Sequence, residues 1–90
     1  MKYAFRWRER AVRQLRGIPQ QAALTILRAL TPLGDDPRRQ DASIKKLAGY
    51  ADRYRLRVGD YRVIYEIADE QLVILVVGAG HRREAYRVLS

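Results

Sequence analysis

The chain has 90 residues, 48% of them apolar, which is enough for one small domain with a real core and too much for a disordered segment. It carries 18 Lys and Arg against 10 Asp and Glu, a net charge of +8, and no cysteine, which rules out disulfides and thiolate metal sites. Such a basic surface attracts polyanions: nucleic acid first, then acidic proteins, then anionic membranes.

In chain order, "KYAFRW" (2–7) alternates and predicts a first strand with Tyr3, Phe5 and Trp7 on one side. These aromatics read as core rather than as platforms for stacked bases. From Arg8 the period changes. Ala11, Val12, Leu15 and Ile18 mark the stripe of a short helix that Gly17 is placed to end. Pro19 suits the first turn of a second helix with apolar positions Ala22, Ala23, Ile26, Leu27 and Leu30, closed by "TPLG". So short a link predicts an antiparallel helix hairpin. "DDPRRQDAS" (35–43) reads as a surface loop, and "IKKLAGYAD" leads into "YRLRVGDYRVIYEI" (54–67), two strands around a Gly59-Asp60 turn.

After "ADEQ", the apolar run at 72–77 fits a strand buried on both faces and ended by Gly78 and Gly80. "HRREAYRVLS" then forms a basic tail with one helical turn. The expected fold is α+β, a single domain over 1–90. An N-terminal strand and a helix hairpin precede a three-stranded antiparallel meander and a short C-terminal helical turn. The longest apolar run is far short of the roughly 20 residues needed to span a bilayer. The charged N-terminus lacks the apolar stretch of a signal peptide. No membrane association is expected, and the cytoplasm is the expected location.

The hairpin carries the chemistry. With the turn at Gly59-Asp60, Tyr54, Leu56 and Val58 share the core face with Tyr61, Val63 and Tyr65. Arg53, Arg55 and Arg57 share the other face with Arg62, Ile64 and Glu66. Arg53 falls opposite Glu66, but Arg57 falls opposite Arg62, and like charges directly across an antiparallel pair cost up to about 1 kcal/mol. Two guanidiniums held together on stiff strands make a clamp for a phosphate, although two splayed, solvated arginines would look the same in the sequence. The tail is expected to bring His81, Arg82 and Tyr86 to the same end of the sheet. Beside arginines His81 would be neutral in the cell and able to accept a proton. No phosphate loop, dinucleotide fingerprint, metal spacing or paired-carboxylate pattern is present, so no cofactor and no metal are expected.

"KLAGYADRYRLRVGDYRVIYEI", followed by a short acidic turn, an apolar strand and "GHRREAY", resembles the RelE branch of the RelE/ParE toxin superfamily. These are toxins of bacterial and archaeal toxin–antitoxin pairs, and the similarity covers nearly the whole chain. The resemblance implies a metal-independent, ribosome-dependent mRNA endonuclease. In it the 2′-hydroxyl of an A-site nucleotide attacks the adjacent phosphate, leaving a cyclic phosphate and a 5′-hydroxyl. The positions matching the family's site are Arg55, Arg57, Arg62, Arg82 and Tyr86. With His81 added, the candidate catalytic set is Arg57, Arg62, His81, Arg82 and Tyr86, and Lys45, Lys46, Arg53, Arg55 and Arg83 are the candidate RNA contacts. The best-known family pattern has lysines where this chain has Arg55 and Arg57. Arginine is effectively always charged, so the proton acceptor must lie elsewhere, at His81 by slight preference or at Tyr86. The implied partners are an acidic antitoxin, in a hetero-oligomeric complex, and the ribosome with its mRNA. Two other classes stay open: a ParE-like inhibitor of DNA gyrase without nuclease activity, and a plain interaction module.

Overall fold

Alternation on either side of the Gly59-Asp60 turn, broken by Ile64, sets the hairpin around which the rest is built. The computed structural model describes residues 2–82. Its strands are β1 (Ala4–Trp7), β2 (Ile44–Lys46), β3 (Arg53–Val58), β4 (Tyr61–Ala68) and β5 (Val73–His81). They form one mixed sheet in the order β1-β5-β4-β3-β2. The β3–β4 register places Tyr54 opposite Tyr65, Leu56 opposite Val63 and Arg57 opposite Arg62, as the alternation requires. Gly59 makes this hairpin possible. Its φ of +59°, with no positive φ at Asp60, matches a two-residue type II′ turn, whose twist suits the flanking strands.

β1 runs parallel to β5, with Phe5 opposite Ile74 and Trp7 opposite Val76. A parallel pair cannot be closed by a tight turn. The chain between the two strands therefore includes the helices, α1 (Glu9–Arg16) and α2 (Gln20–Leu30). α1 packs on β5 and α2 on β3, covering one face of the sheet. The core between these layers joins Ala11, Ile26, Leu30 and Leu33 to Tyr54, Leu56, Val63, Tyr65, Ile67, Ile74 and Val76. The Tyr54 and Tyr65 rings stack across the hairpin at 5.6 Å and 14°. Burial pushes the pKa of the Tyr65 phenol well above its ordinary value, with the Tyr54 phenol adding to the shift.

The α+β class is as expected, and two details differ. Ile44–Lys46 is an additional edge strand, antiparallel to β3, in a segment expected only to lead into the hairpin. β5 does not stop at Gly78 but continues to His81, because β4 is long enough to pair with it. Gly78 lies opposite Ile64 and Gly80 opposite Arg62. The pairing jumps from Ile64–Gly78 to Tyr65–Val76, so Val77 is an extra bulge residue, only 2% exposed. The helical turn expected in the tail lies outside the described residues. Among the described residues, no helix is long and apolar enough to cross a membrane.

The expected surface loop at 35–43 is pinned by one side chain. Arg38 donates from Nη1 and Nη2 to the two carboxylate oxygens of Asp69, at 2.8 Å each, and from Nη2 to Asp52 at 2.9 Å. The Tyr3 hydroxyl donates to the same Asp69 at 2.7 Å. The loop, the start of β3, the β4–β5 connection and the N-terminus are thereby tied at one point. The hydrogen bonds from Arg38, then that from Tyr3, hold the Asp69 carboxyl at about 2. A carboxylate with a lowered folded-state pKa contributes its stability above its unfolded value of about 4, and loses it as pH falls through the folded one. Asp69→Asn should therefore lower the urea midpoint most between about pH 5 and 7. The gap from wild type should close toward about pH 2. A gap that stays constant over this range would show that the carboxylate charge contributes nothing.

Candidate nucleic-acid interface

The face of the sheet turned away from the helices is organised in cross-strand rows. Nearest the hairpin turn, Arg57 lies opposite Arg62, which lies opposite Gly80. In the next row Lys45 lies opposite Arg55, and Arg55 opposite Ile64. Farther from the turn, Arg53 lies opposite Glu66, and Glu66 opposite Leu75, which pairs with Arg6. Since Phe5 and Trp7 pack on the core, Arg6 falls on this face as well.

The rows differ in how their charge is satisfied. Arg57 is exposed, and its guanidinium has no hydrogen-bond or ion-pair partner among the described residues. Arg62 is half-buried, and its Nη1 donates to the carbonyls of Gly59 and Tyr61, both at 3.0 Å. These bonds fold the guanidinium back over the turn and fix its place without neutralising it. Arg82, also exposed, is set beside the same turn by its backbone N–H, which donates to the Asp60 carbonyl at 2.8 Å. Arg57, Arg62 and Arg82 thus meet at the turn end of the sheet. Lys45 and Arg55 extend the cationic surface along β2 and β3.

Arg53 has a different situation from the RNA contact expected of it. Its side chain is 12% exposed, with Nη2 3.3 Å from Glu66 Oε2. Its guanidinium carbon lies over the Tyr50 ring, 4.2 Å from the centroid. Glu66 also meets Arg8 at 3.5 Å. Lys46 departs too: paired with Tyr54, it takes the opposite parity to Lys45 and stays exposed at the sheet edge on the helix side. Arg83 and Tyr86 lie outside the described residues.

His81 is not gathered with the arginines. It pairs with Tyr61, whose ring it meets edge-on at 6.1 Å and 81°. Tyr61 packs on the core side, so His81 takes the helix side while Gly80 and Arg62 take the other. There it lines a cleft of about 340 Å³ with Arg13, Gln14, Ile18 and Tyr61. The expected clustering fails because β5 runs on past Gly80, and each added strand residue alternates sides. Tyr50 was not singled out from the sequence, because its position in the β2–β3 loop has no periodic signal. Arg6 was legible in the alternation of "KYAFRW".

A partly buried guanidinium stacked on a ring and paired with a carboxylate is chiefly structural. Arg53→Ala should destabilise the fold by about 1–2 kcal/mol in urea unfolding, yet leave the affinity for a short single-stranded RNA within about twofold. A large loss of RNA affinity with unchanged stability would return Arg53 to the binding surface.

Comparison with known proteins agrees with this geometry. The family model described as the ParE toxin of type II toxin–antitoxin system, parDE, matches residues 5–86. A RelE-like toxin protein of Escherichia coli is 31% identical over 87 residues, covering 94% of this chain and 88% of that protein. The mRNA interferase toxin RelE of Escherichia coli strain K12 is 29% identical over the same length and coverage. Among solved structures, a variant of Escherichia coli toxin RelE in the free state superposes with a TM-score of 0.83 at 28% identity, covering 99% of this chain and 92% of that one. The archaeal RelE–RelB complex from Pyrococcus horikoshii OT3 gives 0.78 at 31% identity, with 94% and 100% coverage. A helix-covered sheet with a cationic hairpin, matched by a family model along nearly its whole length, places the chain in the ParE/RelE toxin superfamily of type II toxin–antitoxin systems, in its RelE-like branch.

Proposed function

We propose that this toxin is a ribosome-dependent mRNA endonuclease whose arginine pair neutralises the reacting phosphate. The observation that carries the reading is the register of the exposed Arg57 directly opposite the half-buried Arg62. RNA supplies its own nucleophile, so the chemistry needs no metal-bound water. The 2′-hydroxyl oxygen attacks the adjacent phosphorus, the bond from phosphorus to the 5′-oxygen breaks, and a 2′,3′-cyclic phosphate and a 5′-hydroxyl result. Charge builds on the non-bridging oxygens in the transition state, where fixed guanidiniums stabilise it most. Arg62 is held in advance by the carbonyls of the turn, so little is lost in ordering it when RNA arrives. Arg57 is the adaptable partner, Arg82 adds charge at the same end, and Lys45 and Arg55 guide the flanking backbone.

Neither Arg57 nor Arg62 can take the 2′-hydroxyl proton, because a guanidinium stays charged. Of the two candidate acceptors, the helix-side position of His81 favours Tyr86. Single-turnover cleavage of ribosome-bound mRNA tests the whole assignment. Arg62→Ala should cut the rate by about 10²–10³-fold in a folded protein. Tyr86→Phe should cut it by about 10²-fold or more, and His81→Gln by less than about tenfold. Near-wild-type cleavage by folded Arg62→Ala would end the clamp model, and a dead His81→Gln with active Tyr86→Phe would reverse the choice of base.

The ParE description of the family model keeps the gyrase reading in play. Supercoiling assays with gyrase separate the two readings, since gyrase inhibition would not require a phosphate clamp. Related RelE structures include complexes with RelB, and we assign this chain a cognate antitoxin as partner. The net charge of +8 makes an acidic segment its natural complement.

A further inference from the structure

β1 accompanies β5 only as far as the Trp7–Val76 pair, after which the Arg8 N–H donates to the Val76 carbonyl at 3.0 Å. From Val77 onward, β5 has a strand neighbour on its β4 side alone among the described residues. Ala79 lies in that stretch and is 1% exposed, so an unpaired N–H there would be both buried and unsatisfied. The N–H is met by a side chain. Gln14 of α1 offers its Oε1, and Ala79 donates to it at 3.0 Å. Gln14 can do this because it stands one helical turn after Ala11, which is fully buried in the core, and so faces β5. One residue beyond Ala79 is Gly80, opposite Arg62, and two residues beyond that is Arg82, whose N–H closes on the hairpin turn.

We propose that Gln14 is a positioning residue for the arginine site. By holding the unpartnered end of β5 against β4, it fixes Gly80 beside Arg62 and Arg82 beside the turn. It touches no substrate, and it lies on the opposite face from the arginines. The proposal rests on the nuclease reading for its effect on rate, but the positioning itself can be measured without any activity.

Two variants separate the bond from the packing. Gln14→Met keeps the length but offers no comparable acceptor, whereas Gln14→Glu keeps an acceptor oxygen. Backbone amide exchange is followed by NMR at Ala79, Arg82 and Ile74, the last reporting overall stability in the same strand. Gln14→Met should speed exchange at Ala79 and Arg82 by about tenfold or more relative to Ile74, and Gln14→Glu should leave it near wild type. On the ribosome, Gln14→Met should lower the single-turnover rate by about tenfold with little change in half-saturation, and Gln14→Glu should restore it. Wild-type exchange at Arg82 in Gln14→Met, a uniform rise at all three amides, or equal damage in both variants would overturn the proposal. If the wild type itself does not cleave, the nuclease reading fails, and the exchange ratios still decide whether Gln14 holds the strand end.

Discussion

Arg57 and Arg62 stand directly opposite each other across the β3–β4 hairpin, and the rest of the structure accommodates that like-charge pairing. A cross-strand pair of like charges costs up to about 1 kcal/mol, a notable fraction of the marginal stability of so small a domain. The opposite face of the same hairpin supplies the compensation. Tyr54 stacks on Tyr65, Leu56 faces Val63, and both pairs are closed off by the helices. The glycine turn fixes the register, and the carbonyls it exposes hold Arg62 where it is. Both arginines thus stand on paired strands, the rigid placement that the proposed phosphate clamp requires.

Charge is also distributed along the sheet. Far from the turn, several cations are paired: Arg53 and Arg8 with Glu66, and Arg38 with Asp52 and Asp69. Near the turn, Asp60 is the acidic residue beside Arg57 and Arg62 in sequence, and Glu84 follows Arg82 by two residues. The exposed Arg57 and the half-buried Arg62 stand at the turn end without a carboxylate partner among the described residues. A local cationic cluster of this kind attracts a polyanion.

The sequence made the hairpin legible because period-two alternation leaves one register that buries every apolar residue, and that register sets Arg57 against Arg62. β2 was hidden because two of its three residues are lysines, the kind of residue that guards a sheet edge. The end of β5 was misread because glycine punctuates most chains, whereas here a long partner strand carries the pairing through Gly78 and Gly80. That extension decides the side on which His81 lies, and a nearest-neighbour reading of "GHRR" could not supply it. The engagement of Arg53 by Tyr50, and the three-way grip of Arg38, depend on loop geometry that carries no periodic signal.

The central claim is that Arg57 and Arg62 oppose each other in the free protein and cooperate once an anion lies between them. A double-mutant cycle with Arg57→Met, Arg62→Met and the double variant measures this directly in urea unfolding at low salt, with and without a short uncleavable RNA. The cycle cancels what each side chain does alone, including the bonds from Arg62 to the turn. Without RNA, the coupling should be unfavourable to folding by up to about 1 kcal/mol. With saturating RNA, it should vanish or change sign. No coupling in either condition, or the same repulsion with RNA bound, would contradict the account.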